Sequence, residues 1–270
     1  MIVSTTLAGP GAERNIGAAL RSVEAQVDSC LVAFSGCDED LTRAAVTEAV
    51  GDKARFCSLT WPGRYDHARQ AMLDWAEAVG AEWAVTVDCD ERVTLPPDYR
   101  DILTAHPNAH VWNMRGCDHG TCNNESPGHG YCKERIIRAD LGLQWHGRVC
   151  ENVQSSQQGV IAGHFWENEK TPEQERRRYE RGVTETEAMI AEGDDRYKWW
   201  RHMGSCNAGL GRMSRALECY EEALKRPHGP EDEARCVYLI CDQLILAERF
   251  DEAHDKAALW LARHAGFIPE

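Results

Sequence analysis

The chain has 270 residues, 43% hydrophobic and 27% charged, which is enough to bury one large core and a smaller second one, and no run approaches the roughly 20 apolar residues of a membrane span. A formal charge of −14 disfavours nucleic acid as a partner, because binding a polyphosphate depends on lysine and arginine displacing counterions, yet it suits a divalent cation that neutralises a nucleotide diphosphate locally. The twelve cysteines are scattered, several inside apolar segments such as Cys30, Cys206 and Cys241, which predicts reduced buried thiols rather than a disulfide framework; Met1 runs into apolar sequence without a basic leader, which makes the cytoplasm the expected compartment.

Along the first hundred residues short apolar runs alternate with helical patterns, the order of an open-sheet α/β domain. Met1 to Leu7 predicts a strand. Ala12 to Val27 carries Ile16, Leu20, Val23 and Val27 three or four apart and predicts one amphipathic helix entered through Gly9-Pro10-Gly11. Cys30 to Phe34, Ala54 to Leu59 and Trp83 to Val87 predict further strands, with helices over Leu41 to Val50 and His67 to Val79.

The last of these strands runs into Asp88-Cys89-Asp90-Glu91. Alternation along an extended backbone puts Asp88 and Asp90 on one side and Cys89 on the other, and ligands of open α/β sheets bind beyond the carboxyl ends of strands. Two hard oxygen donors there can hold Mg2+ or Mn2+, which bridges diphosphate oxygens. A solvated acidic turn is the plain alternative.

Four segments in order resemble the family 2 glycosyltransferases, in the branch often fused to tetratricopeptide repeats. They are Glu13-Arg14-Asn15-Ile16 with Leu20 and Ser22-Val23; Trp61 with Tyr65 and Ala68-Arg69-Gln70; Val87-Asp88-Cys89-Asp90-Glu91; and Arg135-Ile136-Ile137-Arg138 followed by Trp145-His146-Gly147-Arg148-Val149-Cys150-Glu151 and His164. The resemblance implies an A-type transferase fold over residues 1–168 and a nucleotide-sugar donor, with UDP-glucose or UDP-N-acetylglucosamine the commoner ones. It implies that Thr5, Leu7, Glu13, Asp38, Arg69 and Asp88 surround the nucleotide, Arg69 on the diphosphate. Asp90 would bind Mn2+ or Mg2+ with His164, or failing it His146, and Glu151 would be the base that deprotonates the acceptor. Phe34 departs from the pattern, standing where the family has an acid near the base or ribose, and Cys150 stands where it has a histidine.

Cys117, His119, Cys122, His129 and Cys132 are zinc-type donors, but no C-x-x-C pair occurs among them and Pro127, Gly128 and Gly130 mark a loop, so a loop beside the acceptor or donor is the better expectation. From Thr171-Pro172-Glu173 onward the sequence is charged and helix-favouring, with Thr171 as cap. Trp200, Met203, Gly204, Asn207, Gly211, Ala216, Tyr220 and Ala223 fall at tetratricopeptide spacing, and Val237, Ile240, Cys241, Leu244, Ala253 and Ala257 repeat the frame 37 residues later. Residues 169–270 are thus expected to form a small all-α domain that binds a peptide or partner, or pairs with a second copy as a homodimer.

The expected activity is transfer of a sugar to a soluble acceptor such as a peptide, protein or small molecule. A noncatalytic scaffold built on a degenerate transferase domain is the alternative that Phe34 and Cys150 favour, and a nucleotidyltransferase is disfavoured because Gly9-Pro10-Gly11 is too short for a glycine-rich phosphate loop.

Overall fold

The computed structural model describes residues 1–117, 132–149, 151–168 and 170–265. The chain divides into two compact units, Met1–Glu169 and Lys170–Glu270.

In the first unit, β1 (Ile2–Ala8), β2 (Ser29–Phe34), β3 (Ala54–Ser58) and β4 (Trp83–Thr86) lie in parallel in the order β3-β2-β1-β4. Strand β2 is buried at every position, as a strand covered on both faces must be. Its alternate residues serve two cores. Val32 packs with Ile16 and Leu20 of α1 (Ile16–Arg21) and Val46 of α2 (Glu39–Val50), whereas Leu31 and Ala33 pack with Met72, Leu73 and Ala76 of α3 (Tyr65–Ala78).

The single helix expected over Ala12 to Val27 is broken. A 3₁₀ turn at Ala12–Arg14 precedes α1, and another at Glu24–Gln26 follows it. Ile16, Leu20, Val23 and Val27 are all buried, so the apolar spacing holds while the backbone does not. The cause sits at Ser22, whose hydroxyl donates to the Ala19 carbonyl and accepts from the Val93 N–H, drawing the chain onto a strand instead of into another turn.

Beyond β4 the open sheet turns mixed. The chain continues through β5 (Glu91–Thr94), α4 (Tyr99–Ala105), β6 (Val111–Cys117), β7 (Cys132–Arg138), the short strands β8 (Trp145–His146) and β9 (Asn152–Val153), and β10 (Gln158–Glu167). The eight-stranded order is β3-β2-β1-β4-β7-β6-β10-β5, with β7 antiparallel to both β4 and β6, and β10 parallel to β6 but antiparallel to β5; β8 and β9 pair separately. Opposite β6 the register of β7 slips: Ile136 faces Trp112 and Glu134 faces Asn113, leaving Arg135 as the extra residue of a bulge. Cys117 at the end of β6 is disulfide-bonded, which corrects the expectation of a reduced thiol there.

The second unit contains α5 (Pro172–Ala191), α6 (Tyr197–Gly209), α7 (Met213–Ala223), α8 (Pro230–Leu246) and α9 (Phe250–Arg263). Thr171 opens α5 with a reciprocal capping box: its hydroxyl accepts from the Gln174 N–H, and the Gln174 side chain accepts from the Thr171 N–H. Two hairpins follow. In the first, Arg212 N–H donates to Asn207 O and Gly211 N–H to Ala208 O; in the second, Arg249 N–H donates to Leu244 O and Glu248 N–H to Ile245 O. Each pair stands 37 positions from its counterpart, so the two turns are copies. Gly204 lets α7 approach α6, because a Cβ there would collide with the Tyr220 ring. No helix among the described residues is long and apolar enough to cross a membrane.

Two outcomes follow for the helical unit. Gly211 sits at φ 71°, where glycine is at ease, but its counterpart Glu248 adopts φ 58°, in the left-handed region that a side chain disfavours. Glu248→Gly therefore stabilises the protein by about 0.5–1 kcal/mol in urea denaturation, relief of the strain outweighing the added freedom of the unfolded chain. His202 lies 3.5 Å from Cys206 Sγ, and burial, with Arg201 and Arg178 nearby, pushes its pKa from 6.5 down to about 4. The unfolded chain then binds the extra proton first, so stability falls as pH drops from 6.5 to about 4, by roughly 3 kcal/mol in total. His202→Gln flattens that limb of the stability profile.

Candidate functional site

The acidic segment after β4 folds as a tight turn in which the Glu91 N–H donates to Asp88 O at 3.0 Å and the Asp88 N–H donates to Glu91 Oε2 at 3.2 Å. This turns both carboxylates back over the carboxyl end of β4, toward the start of β7. Two cations come from that strand. Arg135 Nη2 donates to Glu91 Oε1 at 2.6 Å, its Nη1 donates to Thr86 O at 3.3 Å, and its guanidinium stands 4.0 Å from the Phe165 ring centroid. Lys133 Nζ donates to Asp88 Oδ2 at 3.2 Å and lies 3.7 Å from Glu91 Oε1.

The third cation is Arg69, in the second turn of α3, stacked at 5.2 Å on Trp145. Its Nε donates to Glu151 Oε1 at 2.6 Å and its Nη2 to both Asp88 oxygens at 2.9 and 3.1 Å. The start of α3 also holds the segment around β8: Gln70 Oε1 accepts from the Trp145 N–H, and the buried Asp66, paired with Arg64, accepts from the Gly147 N–H. Asp88, Glu91 and Glu151 thus face Arg69, Lys133 and Arg135, three charges of each sign.

Burial makes this pairing strict. The Arg135 and Glu91 side chains are 0% and 1% exposed, Arg69 and Glu151 11% and 12%. Burial alone would raise the Asp88 carboxyl, yet Arg69, Lys133 and Arg135 hold it well below the usual carboxylate range. Burial works against Glu151 in the same way and is overcome by Arg69 and Lys133, which keep its pKa lowered. Glu91 goes the other way: burial and the neighbouring Asp88 push it up against Arg135 and Lys133. Burial, then Asp90 and Asp88, raises the Cys89 thiol to about 12, so it stays protonated.

Four of the residues expected around a nucleotide, Thr5, Leu7, Arg69 and Asp88, line one narrow cavity together with Trp145 and Thr86. A wider hollow of about 490 Å3 opens by Glu134 and Asn152, the neighbours of Lys133 and Glu151 in the chain, and is lined by Gln154, Ser155 and Ser156. The other expected residues are not among those that line it. Asp38 caps α2, accepting from the Leu41 N–H at 3.0 Å, and Glu13 lies 3.8 Å from Arg14 in the first 3₁₀ turn. His146 is exposed on β8. His164 pairs with Thr94, stacks on Trp166 and has its pKa lowered by burial. Asp90 O accepts from the Asn168 N–H at 2.8 Å. Among the described residues no three His, Cys, Asp or Glu side chains gather as a metal-ligand set. Of the zinc-type donors, His119, Cys122 and His129 lie outside the described residues, as does Cys150.

Sequence reasoning assigned no role to Lys133, and it met Glu91, Arg135 and Trp145 only as parts of motifs. A signal was present: Lys133 and Arg135 lie two apart beside the apolar pair Ile136-Ile137, an unusual place for cations unless a carboxylate awaits them.

No protein-family model matches this chain, and no curated protein matches it. Among solved structures, S. aureus TarS 1–349 is similar at a TM-score of 0.47 and 12% identity, covering 99% of this chain and 93% of that one, and a structure of it in complex with UDP-GlcNAc gives 0.45 at the same identity. Glucosyl-3-phosphoglycerate synthase from Mycobacterium tuberculosis, in complex with Mn2+, UDP and phosphoglyceric acid, gives 0.35 at 15% identity over 52% of this chain and 56% of its own. A mycobacterial protein gives 0.37 at 17% identity over 52% and 54%, so this chain spans about half the length of these last two. All these TM-scores lie below 0.5.

The buried pair supplies a stability prediction. Arg135→Met strands the Glu91 carboxylate in the core and costs about 3–5 kcal/mol in chemical denaturation, while adding Glu91→Gln to it recovers most of the loss.

Proposed function

We propose that this protein is a glycosyltransferase that moves a sugar from a nucleoside diphosphate, UDP-glucose or UDP-N-acetylglucosamine, to a hydroxyl group of a soluble acceptor. One observation carries the reading: Asp88, Arg69 and Glu151 meet at the carboxyl end of a parallel strand, beside a cavity that Thr5 and Leu7 also line. A diphosphate leaving group requires cations, and Arg69 and Lys133 are at hand. An acceptor hydroxyl requires a base, and Glu151 is a carboxylate with a hollow opening at its neighbour Asn152.

In this mechanism the acceptor oxygen attacks the anomeric carbon as the bond from that carbon to the diphosphate oxygen breaks. Glu151 takes the hydroxyl proton, and the charge developing on the diphosphate is met by the Arg69 guanidinium. Asp90, at the turn between β4 and β5, is the carboxylate we assign to Mn2+ or Mg2+; an ion carried by a diphosphate keeps waters and needs only one or two protein carboxylates, so the lack of a closed ligand set is compatible with it. When bound, such an ion supplies further charge neutralisation to the leaving group. The polar lining of the hollow, amides and hydroxyls from Asn152, Gln154, Ser155 and Ser156, suits a hydroxylated acceptor. We read the two helical hairpins, with their turns 37 positions apart, as tetratricopeptide-like repeats that hold a peptide or protein acceptor, or a second copy of the chain.

Calorimetric titration tests the donor. UDP-glucose or UDP-N-acetylglucosamine binds wild type in Mn2+, and its affinity drops at least about tenfold with chelator or in Asp90→Ala, the loss of about one charge-assisted contact. If wild type binds no UDP-, GDP- or dTDP-sugar, the transferase reading fails and the scaffold reading replaces it.

A further inference from the structure

Arg69 divides one edge of its guanidinium between two carboxylates and hydrogen-bonds both. Nε serves Glu151 at 2.6 Å and Nη2 serves Asp88 at 2.9 and 3.1 Å. The Nε and Nη2 hydrogens form one of the forks through which arginine grips a phosphate with two parallel bonds. A diphosphate that takes this fork therefore meets donors already in use. Glu151 is bound in the same contact: Oε1 is spent on Arg69, and its side chain is only 12% exposed. A carboxylate gripped by a guanidinium is a weak base, because the cation stabilises the form without the proton. The two roles proposed for these residues, holding diphosphate and accepting a proton, thus compete for one hydrogen bond.

We propose that Arg69 is a positioning residue that exchanges partners, the donor's diphosphate displacing Glu151 from Nε so that the base is released only once the donor is seated. This inference rests on the transferase reading above. Asp88 keeps Lys133 as a partner at 3.2 Å when Arg69 turns to phosphate, so the exchange leaves no bare charge on the strand end. The coupling is reciprocal: whatever loosens the grip of Glu151 on Arg69 tightens diphosphate binding, and the reverse.

The test titrates UDP in Mn2+ into the full chain and reads the dissociation constant. Glu151→Gln removes the competing carboxylate and tightens UDP about tenfold, although it abolishes transfer. Glu151→Asp, one methylene too short to reach Nε, gives the same tightening and stands in should the glutamine variant fail to fold. Glu134→Gln removes a carboxylate that feels the Arg69 charge without bonding it, and changes the affinity by no more than about twofold, as expected of a screened charge. In an Arg69→Met background Glu151→Gln has no effect on UDP. The inference is overturned if the Glu151 variants keep the wild-type fold and bind UDP no more tightly, or if Glu134→Gln tightens it equally, which is a bulk charge effect. Failure of wild type to bind UDP, GDP or dTDP overturns the donor reading itself.

Discussion

A charge taken out of water must meet its opposite, and in this protein that demand falls first on Arg135 and Glu91. Neither side chain touches solvent to any useful extent, and they meet at 2.6 Å between the turn after β4 and the first residues of β7. Neither segment would hold that arrangement alone. The turn is drawn back because Glu91 also accepts from the Asp88 N–H, and β7 enters the sheet beside β4 with a bulge that aims Arg135 at it. Once the pair is formed, Asp88 and Lys133 are placed by short tethers, and Arg69 completes the set from α3. The candidate site is thus an outer extension of a structural ion pair. Its outer members are partly exposed, so they can change partners, while the innermost pair cannot.

The parallel half of the sheet was legible because β1, β2 and β4 are short, apolar and buried on both faces, and because the helices between the strands keep a period of three or four. Asp88 was legible for the same reason, as an acid at the end of such a strand. Arg69 and Glu151 were reached through resemblance, and what could not be read was that they touch, since 82 positions separate them. The mixed half of the sheet escaped prediction because β6, β7 and β10 carry polar and charged residues among apolar ones, giving no clean alternation. Asp38 was likewise reached through resemblance, and what could not be read was its local bond, in which the carboxylate accepts from the Leu41 N–H and caps α2.

The helical unit shows how little sequence a repeat needs to preserve. Between its two hairpins Met203 matches Ile240, Asn207 matches Leu244 and Ala216 matches Ala253, all six buried, whereas Tyr220 matches Ala257 and Ala223 matches Trp260, so neither size nor identity is kept throughout. What recurs without change is the hydrogen-bond pattern of the turn. It recurs even though one copy has glycine at the left-handed position and the other glutamate, so the packing of the flanking helices dictates the turn rather than the turn residue itself.

The bulge at Arg135 also bears on how this chain can drift in length. A bulge carries one residue more than the strand it faces, so losing that residue leaves its neighbours on the faces they already occupy. Deletion of residue 135 would restore uninterrupted pairing with β6 and make a more regular ladder. It would also remove the guanidinium that meets Glu91, leaving that buried carboxylate with Lys133, at 3.7 Å, as its nearest remaining cation among the described residues. Local regularity of the sheet and charge pairing at the end of β4 are therefore opposed at this one position, and descendants of the chain are expected to keep there a residue that the ladder itself does not need.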